Sequence, residues 1–348
     1  MIASMATSDQ SGLDLPPGET IPLLSVSQPH APKRRKVRLA PKHMAITSMP
    51  YKKPDITVDK WVRKNGPETV TWQAGTGQDE NGETVSIGLP YGMMARLIGI
   101  WCASEAYRTR SRKLVLGDNL ADFMEQIGIE REQQSGGARG NITQVREQAD
   151  KLFSSHISVR VEAARDGSRP LEHHQTSVAV GHTLWLKQSE TRRRKTQIDQ
   201  MDMLESTVIL SQEYYDMAIK NPVPVDANTI RKLRGDARGS AMAFDLYVWL
   251  TRRMSYEEEF RLVSWNATML QFGSTVTPTS SRQAIRKYKL ALTNALECVL
   301  DAYPKANARI VEKGILVGPG GTDVPPKGWN ENNGLEEQWY EENGHPPF

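Results

Sequence analysis

Arg282, Arg286 and Lys289 recur at i, i+4 and i+7, a spacing that lines three cations along one side of an α-helix. Gln283 and Lys287 lie beside them, and Thr293 continues the row. Arginine donates two parallel hydrogen bonds to a guanine edge, glutamine pairs with adenine, and lysine neutralises phosphate. That chemistry is recognition of double-stranded DNA rather than bond making. A second set, Asn141, Thr143, Gln144, Gln148 and Lys151, falls on the polar side of another helical stretch. It follows Ser135-Gly136-Gly137-Ala138-Arg139-Gly140, whose glycines let backbone N–H groups approach a ligand closely. With Arg139 and a helix N-terminus behind it, this stretch reads as a phosphate seat.

Residues with catalytic potential form no recognisable constellation. Gly318-Pro319-Gly320-Gly321 lacks the lysine of a nucleotide-binding P-loop. His173, His174 and His182 have no further metal ligands at suitable spacing. A His-hydrophobic-His pair, which would serve a metal-dependent nicking enzyme, does not occur. Tyr288 and Tyr214-Tyr215 read as core or helix-surface aromatics. Cys102 and Cys298 sit in apolar helical patterns and read as buried hydrophobes in a reducing compartment. The expectation is a protein that is not an enzyme and that uses no cofactor or metal.

The elements that must carry these residues follow from periodicity. Ile285, Tyr288, Leu292, Leu296 and Val299 form the inner stripe of a helix over 281–302. A hairpin over 309–317 follows and turns at Glu312-Lys313-Gly314, which makes Lys313 a further DNA candidate. Ile142, Val145, Ala149, Leu152 and Phe153 predict a helix over 141–155. Strands near 156–163 and 176–187 follow, joined through Asp166-Gly167-Ser168-Arg169 as a long wing. Helices near 94–105 and 120–127 precede the first unit, and helices at 241–253 and 265–272 precede the second.

Helix, helix, then two strands is the order of a winged helix. The expected fold is therefore α+β and helix-rich, with two tandem winged-helix domains between disordered N- and C-terminal tails. The expected boundaries are a basic arm over 1–55, a first domain over 56–200, a second over 201–318 and a tail over 319–348. Glu68–Trp72 and Glu83–Ile87 are expected to pair as an antiparallel hairpin, and Ser206–Ser211 to open the second domain as a strand.

Composition agrees with this class without proving it. Of 348 residues, 38% are hydrophobic and 24% charged, and the net charge is +3. Mean hydropathy is -0.53. No apolar run approaches the roughly 18 residues of a membrane span, and no secretory signal is recognisable at the start. A cytoplasmic, DNA-associated protein is expected. Lys33-Arg34-Arg35-Lys36, with Arg38 and Lys42, reads either as an arm along phosphates or as a solvated basic tail; in a eukaryotic host it would read as an import-like signal. Arg192-Arg193-Arg194-Lys195 reads as an inter-domain or wing-edge segment or a solvated loop.

Gly88-Leu89-Pro90-Tyr91-Gly92 leading into Ala95-Arg96-Leu97, then Glu105-Ala106 and the Arg110 region, resembles the plasmid-encoded RepA-type replication initiators of bacteria. Gly136-Gly137 with its following helix, Trp185, Pro222-Val223-Pro224, Asp245-Leu246-Tyr247-Val248-Trp249-Leu250, Trp265 and Gln271-Phe272-Gly273 continue the resemblance in order. It covers roughly residues 68 to 318. The resemblance implies binding to repeated sites at a plasmid origin, local duplex opening, and recruitment of the host initiator and replicative helicase. It also implies two winged-helix domains and a switch between dimer and monomer. Two other readings of the residues stand beside it: a winged-helix transcriptional regulator acting on its own promoter, and a tyrosine-dependent DNA nickase.

Overall fold

The computed structural model describes residues 37–117, 119–137, 140–164, 166–185, 206–237 and 239–324. The described residues open with β1 (Val37–Ala40), α1 (Lys42–Ile46), β2 (Lys60–Asn65), β3 (Glu68–Gln73), β4 (Thr76–Gln78) and β5 (Thr84–Ser86). Then come α2 (Gly92–Thr109), β6 (Lys113–Gly117), α3 (Leu120–Gln126), α4 (Asn141–Ser154), β7 (His156–Val161), β8 (Glu172–Ser177) and β9 (Ala179–Thr183). The later elements are β10 (Ser206–Leu210), α5 (Gln212–Ile219), β11 (Val223–Asp226), α6 (Ala227–Gly235), α7 (Ala241–Met254), β12 (Arg261–Ser264), α8 (Trp265–Phe272), α9 (Arg282–Ala302), β13 (Ala308–Val311) and β14 (Gly314–Val317). The architecture is mixed α+β, with several small antiparallel sheets against the helices.

One succession of elements occurs twice, with β7 and β8 inserted between α4 and β9 in the first copy only. The first copy is α2, β6, α3, α4, β9, β10, and its sheet runs β6-β10-β9. The second is α7, β12, α8, α9, β13, β14, and its sheet runs β12-β14-β13. In each, the strand between the first two helices pairs antiparallel with the last strand. Both copies contribute to one continuous hydrophobic core.

Five expectations are corrected. The strands after α4 do not form a wing: β7 and β8 join a separate four-stranded sheet in the order β2-β3-β7-β8. Ile157 of β7 pairs with Trp72 of β3, and both side chains are buried, so core formation selects this partner. The strand expected over 176–187 is broken at buried Val178, whose N–H donates to Ser155 O at 2.8 Å; β8 and β9 thus enter different sheets. Glu68–Gln73 does not pair with 84–86; it pairs with β2 and β7, and Thr84–Ser86 pairs with β4. Ser206–Leu210, expected to open the second domain, pairs with β6 and β9 of the first copy.

The fifth correction concerns the arm. Its described part, from Val37, is ordered: β1 pairs with β11, and Met44, Ala45, Ile46 and Met49 are buried. This short strap carries enough apolar surface to dock, although its length and prolines hide any period. Its backbone is taken up by side chains from elsewhere. Trp61 Nε1 donates to Ser48 O at 2.9 Å, and Gln271 Nε2 donates to Ile46 O at 2.7 Å.

Beside the strap lies the buried ion pair that ties the copies together. Arg96 of α2 donates through Nε and Nη2 to the two carboxylate oxygens of Asp245 on α7, each at 2.7 Å. Its remaining donors reach Gly92 O at 2.8 Å, Pro50 O at 3.2 Å and Met49 O at 2.8 Å. All five N–H groups of the guanidinium are used, which is what a fully buried arginine requires.

His43 on the strap is buried between Trp72 and Tyr214, with ring centroids 5.6 and 5.9 Å away. Burial lowers its imidazole to about 3. In the unfolded chain the group titrates at about 6.5. Between these values the unfolded state holds one more proton, so stability falls as pH drops. The expected loss is about 1.4 kcal/mol per pH unit below pH ~6.5, with no contribution above it. Denaturation curves across this range should show that slope in the wild type and a shallower one in His43→Phe. Equal slopes would refute the assignment.

Candidate nucleic-acid interface

α9 starts where Ser281 accepts a hydrogen bond from Ala284 N at 3.3 Å, a serine N-cap. Its 21 residues span about 31 Å. Tyr288, Leu292, Ala295, Leu296 and Val299 are buried, while Arg282, Gln283, Arg286 and Lys287 are exposed. Among the described residues, Arg282, Arg286 and Lys287 have no carboxylate within ion-pair distance. Lys289 is half-buried, with its Nζ 4.7 Å from the centroid of the Trp265 ring. It is therefore a packed cation at the edge of the row rather than a fourth free one.

Trp265 also fixes the hairpin. Its Nε1 donates to Glu312 O at 2.9 Å, and its backbone N–H donates to Lys313 O at 3.1 Å. The turn between β13 and β14 is thereby fastened to the first residue of α8, with the Lys313 side chain exposed. Gly314 makes this approach possible, because a Cβ there would stand 2.0 Å from Val263 O. Sequence reasoning missed Trp265 as the post joining α8, α9 and the hairpin. Its position at the start of α8 was visible, but its partners lie 24 and 47 residues away. Exposed Arg309, with its guanidinium 6.0 Å from the Phe260 ring centroid, was also missed.

The polar side of α4 has a different fate. Gln148 is buried, and its Oε1 accepts from Tyr91 N at 2.7 Å just before α2. Lys151 is buried too; its Nζ lies 2.7 Å from Glu147 Oε1 and 5.0 Å from the Tyr91 ring centroid. Asn141 accepts from Ser135 N at 2.8 Å and donates to Gln133 O at 2.6 Å. Thr143 donates to Gly137 O at 2.8 Å. Gln144 is exposed. Arg139 lies outside the described residues.

The expected phosphate seat is closed by the protein itself. Asn141 N donates to Ser135 Oγ at 3.2 Å and Ile142 N to Ser135 O at 3.2 Å. The glycine-rich loop folds back over the helix end instead of leaving its N–H groups open. Gln148 and Lys151 are thus corrected from exposed readers to packing residues. An amphipathic pattern shows that a face is polar, but not which part of the chain covers it.

The histidines are dispersed: His182 Nε2 is 3.1 Å from Asp150, and His173 Nε2 is 2.9 Å from Ser158 Oγ. Tyr214 and Tyr288 are buried, and burial pushes both phenols up. Burial likewise pushes the Cys102 thiol up. Among the described residues no helix is long and apolar enough to cross a membrane.

The family model described as plasmid encoded RepA protein matches residues 89–266, just over half of the chain, and the chain belongs to that family. Among solved structures, the chain is similar to a selenomethionine crystal structure of domains 2 and 3 of RctB. The TM-score is 0.45 at 6% identity, covering 82% of this chain and 97% of that one. A second crystal structure of RctB domains 2–3 gives a TM-score of 0.41 at 7% identity, covering 79% and 93%. No curated protein matches.

Proposed function

We propose that this chain is a plasmid replication initiator that binds repeated duplex sites at its origin. The carrying observation is the exposed row of Arg282, Gln283, Arg286 and Lys287 on α9, set between α8 and the β13–β14 hairpin. In this reading both repeated units are winged helices, with α8 and α9 as the helix-turn-helix of the second and β13–β14 as its wing. α9 enters the major groove, and Lys313 at the hairpin tip contacts phosphate. Binding opens the adjacent duplex and recruits the host initiator and replicative helicase; monomer and dimer forms divide the work. No covalent step is involved.

The test is a plasmid carrying the gene and its flanking repeats. Deleting the gene should abolish replication, and supplying it from a second plasmid should restore it. Normal replication without the gene would refute initiation and leave the autoregulatory reading. Incubation with supercoiled origin DNA should give neither relaxed circles nor a protein–DNA adduct. Either product would overturn the non-enzymatic reading.

A further inference from the structure

The sheet β2-β3-β7-β8 has one face in the core and one in solvent, and the solvent face has an unusual composition. Register places three cross-strand rows on it. The first contains Lys60 and His156; the third contains Lys64, Arg160 and His173. The middle row and the remaining positions are serine, threonine and glutamine, apart from Val62. None of the twelve positions is a carboxylate. At the rim Glu162 lies 2.9 Å from Lys64 Nζ, in a pair about half exposed at both ends, and the Arg160 charge also acts on it. An exposed pair of this kind is weak, so Lys64 can exchange its partner for another anion.

With strands about 4.8 Å apart and same-face residues about 6.7 Å apart, the grid measures about 14 Å each way. It is a broad surface with cations near opposite edges and hydrogen-bonding side chains between. That chemistry fits the sugar-phosphate backbone of a duplex. It does not fit single strands, which need aromatic platforms for stacking, since the face holds no Phe, Tyr or Trp. The core face of β2 carries Trp61 and Arg63, and β2 packs on α8. The sheet is thus fixed to the helix pair that holds the α9 row.

We propose that this sheet face is a second DNA-binding surface, which holds phosphates of the duplex without reading its sequence. The inference rests on the DNA-binding reading above and adds a separate site to it. The experiment uses the full chain and measures affinity for a fluorescent origin duplex and a random duplex over a range of salt. The variant Lys60→Ala/Lys64→Ala/Arg160→Ala should weaken both duplexes by a similar factor, at least tenfold. It should also flatten the slope of log K against log salt by about 0.9 for each phosphate that is no longer neutralised. The preference for origin DNA should remain.

Thr69→Glu, which places one carboxylate beside Arg160, should weaken binding in the same non-selective way. Lys60→Arg/Lys64→Arg/Arg160→Lys should bind like wild type, which separates charge from folding. If wild-type protein binds neither duplex, the proposed function itself fails. If wild type binds and the alanine and glutamate variants match it in affinity and slope, only the sheet proposal is overturned. A weakening confined to origin DNA would also overturn it, because that would make the face a sequence reader.

Discussion

Arg96→Ala should destabilise the protein by about 3–5 kcal/mol, the cost of leaving a buried charge without its partner. Arg96 is completely buried, and Asp245 nearly so. The substitution removes two donors from the Asp245 carboxylate and one from each of Gly92 O, Met49 O and Pro50 O. Burial already pushes the Asp245 carboxyl up, and the substitution removes the Arg96 charge and hydrogen bonds that oppose it. The damage spreads because these acceptors lie on α7, α2 and the strap.

Urea denaturation followed by circular dichroism should show the midpoint fall with little change in slope. Asp245→Ala should cost a comparable amount for the reciprocal reason. The double variant Arg96→Met/Asp245→Leu should be more stable than either single one, since it leaves no unpaired charge. If both single variants unfold within about 1 kcal/mol of wild type, the pair does not organise the junction of the two units.

Arg286→Ala should cost about 1–3 kcal/mol on origin DNA and much less on random duplex, as removal of a bidentate base contact would. The side chain is exposed in the N-terminal half of α9. Arg282→Ala/Arg286→Ala/Lys287→Ala should remove the preference for origin DNA altogether. Neighbouring substitutions couple, so the triple effect need not equal the sum of the singles. Titrations on both duplexes at two salt concentrations separate the alternatives. Equal weakening on origin and random DNA would make Arg286 a phosphate contact and move sequence reading elsewhere.

Helices are the most legible part of the fold. The period of Ile285, Tyr288, Leu292, Leu296 and Val299 places α9 within a residue of its observed span. The stripe of Val145, Ala149, Leu152 and Phe153 places α4 equally well. A helix satisfies its backbone within its own segment, so local sequence is enough to define it. Strands are legible as segments, but their partners are not. Trp72 and Ile157 lie far apart in the chain, and their adjacency arises only when both enter one core. The strap at 37–50 is hidden for the same reason: its hydrogen bonds come from Trp61, Arg96 and Gln271.

The candidate site divides along that line. Sequence alone determined the cationic row on α9 and the polar row on α4, because side-chain spacing on a helix follows from its pitch. Only the tertiary structure decided which row stays available. The segment before α2 meets α4 and takes up Gln148 and Lys151, and the glycine-rich loop takes up Asn141 and Thr143. Nothing comparable covers Arg282, Arg286 and Lys287 among the described residues. The acid-free sheet face likewise exists only because four strands, each alternating in and out, assemble in one register. Periodicity is a property of one segment, whereas coverage and register are agreements between segments, and those are settled by long-range packing.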